Sequence, residues 1–291
     1  MSEVTPVLFD VPGPHARARQ RVATVLALLG LAALIALVTW RLQTAGQLDA
    51  ARWSPLTYTV IQQALLRGLL TTLQVAALGT ALALALGVVL AAGRLSDHVA
   101  VRIPATVLVE LFRGLPVLFM IFFVFLASGG RVSAFASVVT GLTLYNSAVL
   151  AEVFRAGIRS LPRGQSEAAY AIGLGKSGVM RLVLIPQAVR AMLPTVISQV
   201  VVLLKDSALG FIVGLPELLR AINSIGNQYF NLLPTFIVGA VIYIAVNLIV
   251  SGAATVLERR LRTRGRSRPT SAPRSPAPAN VQGVDAGDRM G

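Results

Sequence analysis

The sequence predicts an all-α, polytopic membrane protein with about six transmembrane helices. Three observations carry this. Apolar residues make up 55% of the 291 positions and charged residues only 13%, for a mean hydropathy of +0.73. Soluble domains carry roughly a quarter charged residues, so this chain lacks the polar surface to face water on all sides. The apolar residues are also gathered into blocks, each near the ~20 residues that a helix needs to cross a hydrocarbon core. The blocks are continuous in Leu, Ala and Val rather than alternating. Backbone groups in lipid must be satisfied internally, and continuous blocks satisfy them as helices, not as a closed barrel.

Taken in order, residues 1–21 are polar, end in Arg17, Arg19 and Arg21, and form a cytoplasmic N-terminal segment. The block 22–40 follows and ends on Trp40, a residue suited to the membrane interface. A signal peptide begins similarly, but its apolar region runs about 7–15 residues before a small-residue cleavage site. This block is longer and Trp40-Arg41-Leu42-Gln43 is a poor cleavage context, so it is read as a retained span. Further spans are expected at 65–92, 104–127, 133–155, 188–210 and 235–257, the last two softened by Pro194, Pro216 and Pro234. Residues 41–60 and 207–233 then connect on one face and 156–187 on the other. The transmembrane domain so defined covers 60–258. The remainder, 259–291, is basic, rich in Arg, Ser, Pro and Ala, and without apolar period, so a disordered cytoplasmic tail is expected from about 265. Its basic start suits anionic headgroups of the membrane lipid.

A net charge of +14 would also suit nucleic acid, but the arginines cluster at the ends of apolar blocks. That is the mark of membrane topology, and no nucleic-acid partner is expected. With the N-terminus inside, about twenty of the 26 Lys and Arg residues fall on the cytoplasmic side, among them Arg94, Arg102, Arg159 and Lys176. An even number of spans returns the C-terminus to the same side, so both termini are expected in the cytoplasm of a cell-membrane protein. Cysteine is absent, which excludes disulfides and thiolate sites. His15 and His98 have no second ligand at metal spacing, so no metal site is expected.

The loop 156–187 carries the most informative residues, within GQSEAAYAIGLGKSGVMRLVLIPQAVRAMLP (164–194). Two motifs in it are decoys. Gly175-Lys176-Ser177 ends like a phosphate loop, but Tyr170 stands where that loop needs glycine. Gly173-x-Gly175-x-x-Gly178 matches a dinucleotide fingerprint, yet no βαβ unit fits between two membrane spans and no carboxylate follows before Asp206. The loop reads instead as two short helical pieces broken by glycine, with Ser166 as cap and Glu167 near the positive end of the first. Such a piece suits either the groove of a partner or an ordinary interfacial position.

Glu167-Ala168-Ala169, then Gly173, then Val183-Leu184-Ile185-Pro186 resembles the signature loop of permease subunits in binding-protein-dependent ABC importers. Glu110-Leu111-Phe112-Arg113-Gly114-Leu115-Pro116, Ala151-Glu152-Val153-Phe154-Arg155-Ala156-Gly157-Ile158 and Leu204-Lys205-Asp206-Ser207-Ala208-Leu209 resemble further elements of the polar amino acid (histidine, glutamate, glutamine) permeases, in particular the glutamate-type permeases of actinobacteria. The resemblance spans about 65–257. It implies a methionine-importer-like core of five helices, to which 22–40 adds one. It also implies that Glu167, Ala168, Ala169, Gly173 and Pro186 form a coupling helix at a separate ABC ATPase dimer. That ATPase would carry ATP and Mg²⁺, leaving no cofactor on this chain. A second permease subunit, the same or related, and an extracytoplasmic amino acid-binding protein would complete the assembly.

Charges within spans point to function unless paired. Glu110/Arg113 and Glu152/Arg155 stand i,i+3, so each suits a local ion pair on one helix. Lys205 and Asp206 suit a gate, a pathway or a structural pair. Asn146, Ser147, Ser198 and Gln199 are candidates for a translocation pathway, or for polar glue between helices. The chain is therefore read as the pore-forming subunit of an ATP-driven amino acid importer, glutamate being the foremost substrate, and not as an enzyme itself. Neither Gly-x-Ser-x-Gly nor His-Glu-x-x-His is present to support an intramembrane enzyme. A stand-alone secondary carrier or channel for small polar solutes is the alternative, but no internal repeat supports it.

Overall fold

The computed structural model describes residues 13–263, and all its regular elements are helical. Expectations for the segment before Gly13 and the tail from 264 lie outside the described residues. Helix α1 (Pro14–Thr44) opens with proline at its first position, where the missing N–H is not needed. None of its most apolar stretch is buried, so it meets its surroundings on every face. A turn at Ala50–Trp53 and a 3₁₀ turn at Ser54–Thr57 lead into α2 (Thr59–Arg94), whose 36 residues extend about 54 Å.

The expected single span at 104–127 is instead two helices, α3 (Val99–Gly114) and α4 (Val117–Ala127), bent by 101°. Pro116 disfavours helical backbone at the residue before it, and Leu115 is accordingly extended at φ −93°, ψ 134°. Each half is too short to cross a core of about 30 Å alone. Then comes α5 (Ala134–Arg159), where the Ser133 hydroxyl accepts the Ala136 N–H at 3.2 Å. The loop 156–187 contributes α6 (Arg163–Ala171), a short turn Lys176–Gly178 and a π-helical stretch Val179–Leu184 that runs into α7 (Ile185–Asp206). Pro194 lies inside α7 without ending it. A 3₁₀ stretch, Ser207–Val213, then leads to α8 (Leu218–Gln228) and α9 (Leu232–Thr263). By length and apolarity five helices qualify as spans, and the bent pair raises the number to six.

Lipid tails are as apolar as leucine, so helices in a membrane associate by close packing. At the centre α2 and α5 meet through small side chains: Ala83, Ala148 and Ala151 are fully buried, alongside Val75 and Leu142. Gly141 admits α4, since a Cβ there would lie 2.9 Å from the Ile121 backbone nitrogen.

Residues 207–233, expected as a plain connection, are largely helical. Leu218, Ile222 and Ile225 line one face of α8 at helical spacing and bury against Ile61 and Leu65 of α2. The carboxylate of Glu217, fully buried, caps α8 by accepting the Leu219 and Arg220 N–H groups at 2.8 and 2.7 Å. It also accepts the Tyr243 hydroxyl of α9 at 3.2 Å, while the Thr72 hydroxyl of α2 accepts the Leu218 N–H at 3.1 Å. Burial pushes the Glu217 carboxyl up, and its hydrogen bonds partly offset this.

Glu217→Ala removes a cap, about 1 kcal/mol, and strands a buried hydroxyl, about 1–3 kcal/mol. A loss of about 2–4 kcal/mol in thermal unfolding of the detergent-solubilised chain is expected, with a smaller loss for Glu217→Gln. An unchanged transition in Glu217→Ala would show that the carboxylate does not hold the α2–α8–α9 junction.

Candidate functional site

Helix α6 begins after Pro162, four residues before the expected cap. Ser166 therefore lies inside it and donates to the Arg163 carbonyl at 2.8 Å. Its end is built by Gly173, at φ +84°, a left-handed conformation that glycine adopts without strain. The Gly173 N–H donates to the Tyr170 carbonyl at 2.9 Å and the Leu174 N–H to the Ala169 carbonyl at 3.2 Å, which is a Schellman ending. Gly175 and Gly178 keep ordinary negative backbone angles, so of the three glycines only Gly173 makes the turn.

The segment is fastened at three points. Ala169 of α6 and Val179 of the π-helical stretch are buried in the loop's own small core. The Gln187 side-chain amide at the base of α7 donates to Gln165 Oε1 at 3.3 Å and to the Val183 carbonyl at 2.9 Å. Lys176 pairs with Asp97 in the turn between α2 and α3, and this hydrogen bond holds the Asp97 carboxyl below the usual carboxylate range. Away from these attachments Glu167, Ala168 and Gly173 are exposed, with Tyr170 at 50% and Ile172 at 79%, and Pro186 is exposed at the base of α7. A Cβ at Gly173 would meet nothing within 4 Å. The face is small, apolar at its tip and open to a partner.

Above it lies a layer of charge. The two i,i+3 pairs are present: Arg155 Nε donates to Glu152 at 3.0 Å, and Arg113 lies 3.9 Å from Glu110. What joins them was not legible from spacing. Arg94, with its side chain only 10% exposed, reaches Glu152 of α5 at 2.8 Å and Glu110 of α3 at 3.1 Å. One guanidinium thus ties α2, α3 and α5 together, three residues before the Asp97 that pairs with Lys176.

The polar residues inside the spans divide into two sets. Asn146 and Gln199 meet: the Gln199 amide donates to Asn146 Oδ1 at 2.7 Å, and the Asn146 amide donates to the Leu142 carbonyl at 2.8 Å. Asn146 and Ser147 are fully buried; Asn146 joins α5 to α7 through Gln199, whereas Ser147 bonds only its own helix, at the Leu144 carbonyl. Ser198 is exposed and bonds only its own helix, at the Pro194 carbonyl. Lys205 is exposed and Asp206 half-buried, with no ion pair between them. Lys205 opens on a furrow of about 560 Å³ between α7 and α9, shared with Val201, Tyr243 and Asn247. There Asn247 Oδ1 is buried with no hydrogen-bond partner. Sequence reading missed Tyr243 and Asn247, although polar residues four apart in an apolar block are a signal. Among the described residues no cluster of three metal-ligating side chains occurs.

Replacing Arg94 by alanine leaves Glu110 with only a distant partner and Glu152 with one cation instead of two. Exposed pairs contribute about 0–1 kcal/mol and broken buried ones cost 3–5, so a loss near 2 kcal/mol is expected for this half-buried hub. Arg94→Lys, which reaches one carboxylate but not two, should fall between. Thermal unfolding of the three proteins measures this, and equal stability of all three would remove the hub.

Residues 83–263 match the family described as the binding-protein-dependent transport system inner membrane component. The chain is 39% identical over 256 residues to the glutamate transport system permease of Corynebacterium glutamicum, covering 84% of this chain and 92% of that one. It is 37% identical over 201 residues to the probable glutamine ABC transporter permease of Bacillus subtilis, covering 66% and 91%. The solved amino acid ABC transporter crystallised with histidines superposes with a TM-score of 0.65 at 30% identity, covering 68% of this chain and 94% of that one. An inward-facing methionine ABC transporter shares the fold at a TM-score of 0.57 and 20% identity, over 70% and 99%. The chain is thus a multi-pass membrane permease and belongs to the family of inner membrane components of binding-protein-dependent transport systems.

Proposed function

We propose that this chain forms half of the pore of an ATP-driven importer of polar amino acids, with glutamate as the foremost substrate, and that α6 is the element on which a separate ATPase acts. The observation that carries this is a nine-residue helix that is exposed on one side and bonded to α7 on the other, in a segment that Lys176 also ties to the α2–α3 turn. A helix of that length is marginal alone, so its rigidity comes from its attachments. Glu167, Ala168, Ala169 and Gly173 form the docking region, Pro186 starts the span that receives the motion, and Ile172 is the exposed apolar anchor. This reading puts both described ends of the chain on the cytoplasmic side. It calls for an ABC ATPase dimer that carries ATP and Mg²⁺, a second permease subunit and an extracytoplasmic binding protein. A carrier working alone has no use for the exposed face of α6.

The α7–α9 furrow is the proposed contact for substrate. An acidic amino acid brings carboxylates and one ammonium group. Lys205 supplies a cation to the former, and the unpartnered Asn247 Oδ1 supplies an acceptor to the latter. Ser198 and Asp206 lie along the same helix as Lys205, whereas Asn146 and Gln199 join α5 to α7 beside it and Ser147 is buried on α5. Similarity to glutamate and glutamine permeases supports the substrate class.

Ile172→Asp is expected to abolish ATP-driven uptake in the assembled transporter while the protein still reaches the membrane at normal abundance. Normal transport by that variant would sink the coupling assignment. Lys205→Met should raise the half-saturating concentration for glutamate about tenfold or more, since charge-assisted contacts contribute about 1.5–3 kcal/mol. Isotope uptake at a series of glutamate concentrations reads this directly, and an unchanged curve would remove Lys205 from the path.

A further inference from the structure

A second, larger furrow lies on the opposite side of α7, between α2, α5 and α7, with a volume of about 780 Å³. Its walls are apolar: Leu84 and Val88 on α2, Phe154 on α5, and Val189, Met192 and Val196 on α7. Val88 and Val189 are 56% and 44% exposed there, so something apolar covers them in the membrane. Along α7 the lining runs from Ile185 to Val196, about 17 Å at 1.5 Å per residue. Half of a hydrocarbon core is about 15 Å. The furrow is therefore one leaflet deep and ends at headgroup level.

Its mouth is basic. Lys176 and Arg181 of the coupling segment line it, and Arg102 donates to the Ser96 carbonyl beside it at 3.4 Å. Asp97 is the one carboxylate in the lining, and it occupies Lys176 only in part, since the Lys176 side chain stays 47% exposed. Arg181 is exposed and carries no ion pair among the described residues. An extended acyl chain fits the depth, and an acidic headgroup fits the mouth.

We propose that this furrow is a binding site for one anionic phospholipid of the leaflet on the coupling side, its acyl chain along α2 and α7 and its phosphate between Lys176 and Arg181. The lipid then bridges the coupling segment to the α2–α3 turn at the place where Asp97 alone does so otherwise. The inference rests on the coupling reading only for the leaflet it names.

The full chain carries no cysteine, so Val189→Cys can bear a single photo-crosslinker in native membranes. Capture of phospholipid is expected, and capture of α1 or of a second copy of the chain would overturn the proposal. In native mass spectrometry of the purified full chain, phosphatidylglycerol should be retained over phosphatidylcholine of the same acyl chains. Lys176→Gln and Arg181→Gln should each lower that preference about fivefold, the effect of one basic residue near an anionic surface. Val189→Trp, or Val88→Trp should the first not fold, should remove both lipids by filling the furrow. Equal retention of the two lipids, or retention unaffected by the filled furrow, would refute the site. None of these measurements reads transport, so their failure leaves the coupling assignment standing, and loss of that assignment leaves them interpretable.

Discussion

The pairing of α2 with α5 is the contact on which the other elements depend. In lipid there is little apolar gain from bringing two helices together, so the backbones must come close enough for dispersion and polar contacts to hold them. At Gly87 a Cβ would lie 3.0 Å from Leu150 Cβ and 3.1 Å from the Ser147 carbonyl oxygen, and Ala83, Ala148 and Ala151 continue the same tight seam. Because the seam runs to the end of both helices, it delivers Arg94 and Glu152 to one another. The charge layer is thus a consequence of small residues some turns away. From that layer α3 is held by Glu110, and the α2–α3 turn presents Asp97 to the coupling segment.

This arrangement explains why so short a helix as α6 can carry force. A nine-residue helix pushed by a partner would unravel if it hung on a loose loop. Here its end is fixed by the Gly173 turn, its inner face by the burial of Ala169, and its base by the Gln187–Gln165 hydrogen bond to α7. In the proposed coupling, movement applied at Ile172 passes to α7 through the π-helical stretch and to the α2–α3 turn through Lys176. The exposed residues of that proposal are those that touch the partner, and the buried ones set the stiffness of the lever.

What the sequence made legible follows from the range of each interaction. Spans were readable because length and apolarity are local properties summed over some twenty residues, and the blocks recur as helices. The bend at Leu115–Pro116 was missed because the length and overall apolarity of 104–127 outweighed the effect of one proline on its neighbour. Helix α8 was missed for the opposite reason, since eleven residues with only one apolar face look like a connection unless α2 and α9 are there to cover that face. The ion pairs at i,i+3 were legible, whereas Arg94 and Glu152, 58 residues apart, needed the fold to meet. In the loop, Glu167, Ala168, Ala169 and Gly173 were identified by resemblance, but Ser166 was taken for a cap because the helix was expected to begin later than it does.

The polar residues within the spans show how a pathway differs from glue when neither is marked by residue type. Asn146 and Gln199 satisfy one another and the Leu142 carbonyl, so adding a substrate would mean breaking bonds already made. Asn247 donates its amide to the Tyr243 carbonyl but leaves Oδ1 without a partner, and the neighbouring Lys205 ammonium has no carboxylate to neutralise it. A buried acceptor without a donor is costly by about 1–3 kcal/mol. That deficit lowers the barrier to any ligand that brings a donor, and a cation beside it selects a ligand that also brings an anion. A zwitterion with an extra carboxylate meets both conditions, which is why the proposed substrate contact lies at the unsatisfied pair rather than at the well-bonded one.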